Sequence, residues 1–300
     1  MPFRIVGIGE VLWDLLPSGP QLGGAPANFV YHASALGARA SLVTRVGKDD
    51  RGTSILERFA EAGIALDTMQ VDEAAPTGTV TVAVSGAGIP EYVIHEDVAW
   101  DRLVVTAAAL EAVRRADAVC FGSLAQRAPV ARRSVQVLVG ASPPTALRVF
   151  DVNLRQQYFS RDVIAQSLGL ATVLKLNEGE LPILAEMFGV AGPTSHQVER
   201  LAETFGLVLV ALTRGAAGSL LFQAGEWSER PALPTHVVDT VGAGDAFAAA
   251  LVLGMLSKMP LPSISALADE VARHVCSCAG ATPELPTELT DRFRVSVRER

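Results

Sequence analysis

The chain has 300 residues, 49% apolar and 19% charged, enough for one large α/β domain or two small ones with a substantial core, and without the signature of general disorder. Its formal charge of −7 argues against a nucleic-acid binder, which would carry a basic surplus, but leaves room for phosphorylated ligands held by a few local donors. Three sparse cysteines (Cys120, Cys276, Cys278) with no Cys-x-x-Cys or zinc spacing fit a reducing compartment, and no signal-like N-terminus or run of about 18 apolar residues is present. The expectation is a soluble cytoplasmic protein with no nucleic-acid or membrane partner.

"RIVGIG" (4–9) reads as a buried strand, "APANFVYHASALG" (25–37) as a helix ending at Gly37, "ASLVTRVG" (40–47) as a strand and "DRGTSILERFAEAG" (50–63) as a second helix. The rhythm then changes. "TGTVTVAVSG" (77–86) and "EYVIHE" (91–96) read as a hairpin around a Gly/Pro turn. Strand–helix alternation resumes with helix 106–116, strand 117–122, helix 129–140, strand 147–152, strand 172–177, helix 178–188, helix 195–205 and strand 207–213. A strand at 218–224 and helices 245–257 and 263–279 follow, and the tail 290–300 reads as surface chain. Such alternation implies one domain built on a mostly parallel sheet covered on both faces, with a β-rich insertion. Active sites of such sheets lie beyond the carboxyl ends of the strands. That rule selects residues 9–14, 151–155, 177–180, 213–218 and 239–245.

Two nucleotide motifs are absent. After the first strand "GIGE" opens like a dinucleotide fingerprint, but Leu12 stands at its third glycine position; the only Gly-Lys, Gly47-Lys48, is followed by Asp49, so there is no P-loop. The segment "DTVGAGDAFAAALVLGML" (239–256) is more informative. Gly242, Ala243 and Gly244 carry little bulk, and they open an apolar helix whose unpaired N–H groups and dipole favour an anion. Asp245 there is either a helix cap or a base beside an anion site. Asp14 after strand one, and Asn28 in the first turn after Gly23-Gly24, are either turn chemistry or hydrogen-bond partners for a polyhydroxylated ligand. Only three Asn (28, 153, 177) and three Lys (48, 175, 258) stand against 22 Arg, so each invites a functional question.

Together these segments resemble the ribokinase-like (PfkB-type) carbohydrate kinases over nearly the whole chain. "GGAPANFVYHASALG" with Gly47 is similar to the family's N-terminal signature and "DTVGAGDAFAAALV" to its more specific C-terminal one. "KLNEGE" is similar to its Asn-x-x-Glu motif and "LTRGAAGSLL" to its nucleotide loop. The resemblance implies a three-layer α/β/α fold in one domain (1–300), with a small β-rich lid from segments near 10–22 and 77–100. It makes Asp245 the catalytic base and the N–H groups of Gly242, Ala243, Gly244 and Asp245 the anion hole. Asp14, Gly24 and Asn28 would hold sugar hydroxyls, and Arg155 of "FDVNLR" would face the sugar. Asn177, Glu180, Thr213, Gly215 and Gly218 would serve the nucleotide. The implied cofactors are ATP and Mg²⁺, the metal met by Glu180 through water, with K⁺ a candidate at Asp239. Glu284 stands where relatives often have Ser, which leaves the K⁺ requirement open.

The segments "GEVLWDLLP" and "FDVNLR" look most like bacterial fructokinases, so D-fructose phosphorylated at its 6-hydroxyl is the favoured reaction. 2-Keto-3-deoxygluconate kinase, ribokinase, nucleoside kinase and a catalytically dead sugar-binding protein are the alternatives. Tyr92 and Trp100 are candidates for the lid side of the pocket, or for lid packing. Lids of this family often pair into homodimers, and the alternation of "TVTVAV" suits one buried face; a monomer fits equally.

Overall fold

A computed structural model describes residues 1–17, 19–84 and 90–298. The chain enters through β1 (Arg4–Ile8), β2 (Leu12–Leu16), β3 (Gly19–Gly23) and α1 (Ala25–Ala35), then β4 (Arg39–Gly47), α2 (Asp50–Glu61) and β5 (Met69–Asp72). β6 (Thr79–Val84) and β7 (Pro90–Ile94) lead to α3 (Ala107–Arg114), β8 (Ala118–Gly122), α4 (Pro129–Gly140), β9 (Leu147–Asp151), α5 (Arg161–Leu170) and β10 (Val173–Asn177). α6 (Glu180–Met187), α7 (Thr194–Phe205), β11 (Leu209–Thr213), β12 (Ser219–Gln223) and β13 (Glu226–Arg230) precede the closing helices α8 (Ala243–Leu256), α9 (Leu261–Cys276) and α10 (Thr287–Arg298).

Nine strands form the main sheet in the order β13-β12-β11-β10-β9-β8-β1-β4-β5. From β11 to β5 every pairing is parallel, and β12 and β13 add an antiparallel edge. Strand periodicity divides the core into two layers. Along β11, Leu209 and Ala211 face the cluster that holds α1, α8 and α9, whereas Val210 and Leu212 face the one that holds α4, α5, α6 and α7. Each fully buried Val or Leu stabilises the fold by about 1.5–3 kcal/mol, so a one-residue slip of this strand would exchange its inward sets. α8 is buried almost throughout, from Ala246 to Gly254, which explains its unbroken apolar sequence. Helices cover both faces of the main sheet, the three-layer α/β/α arrangement that the resemblance implies.

A second sheet, in the order β3-β2-β6-β7, stands beside the first. β2 pairs antiparallel with β3 and parallel with β6, and β6 pairs antiparallel with β7. The expected turn between the two hairpin strands falls largely at 85–89, outside the described residues. Trp100 is 1% exposed in the core, with the Arg127 guanidinium 3.9 Å from its ring centre, so it packs the interior and is not among the residues lining the large cleft at the strand ends.

Several elements went unread in the sequence. β5 has four residues, β3 contains two glycines and a proline, and β13 is a short polar edge strand, so none carries a strong periodic signal. α5 was legible in principle: the Ser160 side chain accepts from the Val163 N–H as its N-cap. The tail read as surface chain is largely helical, and Phe293 is 1% exposed against the main core; its charged neighbours hid that one buried face.

Candidate active site

Because β1, β8, β9, β10 and β11 are parallel, their carboxyl ends share one rim, and a cleft of about 1650 Å³ opens there. That exceeds the roughly 300–1,000 Å³ of a pocket for one small ligand. The cleft runs from Asp14 and Tyr92 of the second sheet, past Asn28, Lys175 and Asp245, to Thr213, Leu233 and Arg273.

At its centre is the start of α8. Gly242 is the N-cap, with φ of +79°, and no side chain caps the helix, so Asp245 is not a cap. Its Oδ2 instead accepts a 2.8 Å hydrogen bond from Asn28 Nδ2 in the first turn of α1. Gly242 is sterically required, because it has positive φ and lies against backbone, whereas a side chain at 244 would have to displace only the end of Lys175. A Cβ on Gly242 would lie 2.7 Å from the Ala281 Cα, and one on Gly244 would lie 2.9 Å from Lys175 Nζ. Burial, followed by the charge of Asp151, raises the Asp245 pKa to about 7, against the opposing pull of Lys175, the Asn28 hydrogen bond and Arg155. A carboxylate so tuned is matched to accepting a proton near neutrality.

Beneath the turn lies a buried ion pair that follows from sheet register. Lys175 and Asp151 are neighbours across β10 and β9, and Lys175 Nζ donates to both Asp151 oxygens at 3.0 Å. Burial acts to lower the Lys175 pKa, but the carboxylates of Asp151, Asp245 and Glu180 outweigh it and raise it. The ammonium is therefore held charged at the cleft floor beside Gly244.

The Asn-x-x-Glu pair is locked by its own backbone. Asn177 Oδ1 accepts from the N–H groups of Gly179 and Glu180, while the Glu180 carboxylate accepts from Asn177 N–H and from Leu154 N–H, each at 2.8 Å. Asn177 lines the cleft; Glu180, 4% exposed, does not. Thr213 at the end of β11, Gly215 and Gly218 continue the same wall. Asp239 lies off the cleft lining. Its two oxygens accept the N–H groups of Val241 at 3.0 Å and Gly280 at 3.1 Å, joining the loop before α8 to the loop after α9.

At the other end are Asp14 on β2, Gly24 at the head of α1, and Arg155 after β9. Burial raises Asp14 to about 6, with Arg155 opposing. Glu10 escaped the sequence reading, although an acid directly beyond the first strand was the available signal. It lines the cleft, is 2% exposed, and its Oε2 has no partner among the described residues. The structure thus brings together Asp14, Gly24, Asn28, Arg155, Asn177, Thr213, Gly215, Gly218 and residues 242–245, and leaves Glu180 and Asp239 behind the wall as loop braces. Among the described residues no three His, Cys, Asp or Glu converge as a metal cage, and no helix is long and apolar enough to cross a membrane.

A glycine turn at a helix start, a recessed acid and a cleft larger than one small ligand needs suit a group-transfer site. The description "pfkB family carbohydrate kinase" matches residues 20–288. The chain belongs to the pfkB family of carbohydrate kinases. This pfkB kinase is 31% identical to a putative sugar kinase of Pyrococcus horikoshii, over 84% of this chain and 82% of that protein. It is 29% identical to a fructokinase of Klebsiella pneumoniae, over 93% of each. The crystal structure of the P. horikoshii sugar kinase in complex with ATP matches with a TM-score of 0.80 at 29% identity, covering 96% of this chain and 99% of that one. A putative ribokinase II of Escherichia coli in complex with ATP and Mg²⁺ matches the pfkB chain with a TM-score of 0.84 over 99% and 100%, at 19% identity, a likeness of fold alone.

Proposed function

We propose that this sugar kinase transfers the γ-phosphoryl group of ATP to D-fructose, giving fructose 6-phosphate, with Asp245 as the base. The observation that carries the reading is Asp245 itself: recessed in the cleft, raised to about 7, and aimed by Asn28 rather than spent as a cap. The sugar lies at the Asp14 end, where Asp14, Gly24, Asn28 and Arg155 meet its hydroxyls, and the nucleotide lies along Asn177, Thr213, Gly215 and Gly218. Asp245 takes the proton of the acceptor hydroxyl as its oxygen bonds to the γ-phosphorus. The bond from that phosphorus to the bridging oxygen breaks, and ADP leaves with the electron pair. The N–H groups of Gly242, Gly244 and Asp245 face the charge of the transferred group, that of Ala243 being turned toward the Thr240 carbonyl at 3.4 Å, and Lys175 adds a fixed positive charge behind them.

The donor set suits magnesium, which keeps much of its water and binds through oxygen and substrate phosphates rather than a protein cage. Asn177 faces that space, whereas Glu180, behind the wall with both oxygens held by backbone N–H groups, would act through the loops it ties together. Bound there, the ion would neutralise phosphate charge. A K⁺ ion near Asp239 belongs to the same reading and would be shown by activity that rises with K⁺ but not Na⁺. The sequence of a fructokinase from K. pneumoniae, similar over 93% of both chains, supports the choice of sugar.

The test is a coupled assay of ADP release with ATP and Mg²⁺ against fructose, ribose, 2-keto-3-deoxygluconate and nucleosides. Fructose should give the highest kcat/KM. Preference for any other acceptor overturns fructose specificity, and turnover of none would favour a binding protein.

A further inference from the structure

The turn at the head of α8 is backed by a loop that is neither helix nor strand. Residues 277–286 join α9 to α10, and Ala281 sits directly against Gly242: a Cβ there would lie 2.8 Å from the Ala281 Cβ. The approach leaves no room for a side chain at 242, so the loop and the turn are packed directly on one another. One tether is Asp239, through Gly280 N–H. The other is His32, whose Nε2 lies 2.9 Å from the Ala281 carbonyl oxygen.

His32 is 0% exposed, and its Nδ1 has no partner among the described residues. Burial depresses its pKa to about 4, so the ring is neutral near pH 7; facing a carbonyl, Nε2 carries the proton and donates it. Leaving Nδ1 unpaired in the core is unfavourable, and an apolar side chain would avoid that. What an apolar side chain cannot do is hold Ala281. His32 stands four residues after Asn28 on α1, and such residues share a face. That one face therefore supplies the bond to Asp245 and the bond to the loop behind the anion hole.

We propose that His32 is a positioning residue for phosphoryl transfer: its Nε2–H bond to Ala281 holds the 277–286 loop against Gly242 and so sets where the N–H groups at the start of α8 point. The inference rests on the sugar-kinase reading above. The readout is the split between kcat and the sugar KM: the sugar contacts at Asp14 and Arg155 lie on other segments, while Gly24 and Asn28 belong to the start of α1, one turn or more before His32.

The experiment compares wild type, His32→Gln, His32→Asn and His32→Leu with the best sugar from the screen, ATP and Mg²⁺, and records circular dichroism for each protein. Gln reaches far enough to donate to Ala281 and Asn does not. The expected result is a kcat lowered about tenfold or more in His32→Leu and His32→Asn, since small misplacements of a catalytic group cost up to about 100-fold, with the sugar KM within about twofold of wild type and most of kcat retained in His32→Gln. If His32→Leu does not fold, the Gln and Asn pair carries the comparison. The proposal is overturned if His32→Asn keeps the wild-type kcat, if His32→Gln loses as much as His32→Asn, or if kcat holds and only the sugar KM changes. Wild-type protein that turns over no sugar overturns the kinase reading instead.

Discussion

Asp245 experiences opposed forces, and its chemistry follows from their balance. Burial and Asp151 favour its neutral form; Lys175, Asn28 and Arg155 favour the carboxylate. Only the carboxylate can accept the acceptor's proton, so kcat/KM should fall as pH drops below about 7, approaching tenfold per pH unit. A pH–rate profile flat down to about pH 5 would remove Asp245 from this role. The same shift bears on stability. The folded-state pKa near 7 lies above the ordinary 3.8, so between these values the folded state holds a proton that the unfolded state lacks, and stability falls as pH rises through that window. Asp245→Asn should therefore lower kcat by about 10²–10⁴-fold while raising Tm at about pH 8 by a few degrees relative to wild type. That gain should vanish below about pH 4. Activity assays and thermal melts on the same preparation check both signs.

Two neighbouring strands create the floor of the site. The β9–β10 register places Lys175 opposite Asp151, and both side chains are nearly buried, at 7% and 6% exposure. Removing one partner of such a pair leaves an uncompensated buried charge, so Lys175→Met should destabilise the protein by about 3–5 kcal/mol. Pairing it with Asp151→Asn should recover much of that loss, because neither member of the pair then carries a charge, although Asp245 and Glu180 still lose their cation. Activity should not recover with stability, since the cation behind Gly244 is still missing. Denaturant unfolding and kcat for the single and double variants separate the two effects. A double variant with wild-type kcat would confine the pair to a structural role.

The second sheet is connected to the body by polar contacts. Tyr158 donates its hydroxyl to the Ile94 carbonyl, Gln156 donates to the Tyr92 carbonyl, and Arg127 pairs with Asp101 while donating to the His95 carbonyl. The segment that carries Arg155 thus grips β7, and a sugar reached by Arg155 would be felt by the sheet. We infer that this sheet closes over the sugar as a lid, excluding water as a competing acceptor. Hydrogen exchange should show the β6 and β7 amides slowed by sugar but not by ATP alone; equal protection by either ligand would argue for a fixed wall. Tyr92 and Val93 are exposed on β7, the edge strand, and a homodimer through this sheet is the accompanying proposal. Sedimentation at several concentrations tests it.

The amino-acid sequence by itself determined the class of fold and pointed to the glycine turn on which the candidate site is centred. Long amphipathic or apolar segments declare their periodicity locally, which is why most strands and helices of the alternating core were legible. The glycine turn before Asp245 was legible too, because a tight approach at a helix start demands small residues wherever it occurs. Short elements such as β5 and β13 were not, since four or five residues of mixed polarity carry no period. The tertiary structure alone decided where each acid stands. Asp245 and Glu180 both stand in the first turns of helices, yet one faces the cleft and the other braces two loops from behind it. Glu10 and His32 became visible only once strands and helices distant in sequence were packed together. A side chain's proton affinity and its unpaired atoms depend on neighbours in space, and those neighbours are supplied by register and packing rather than by adjacency along the chain.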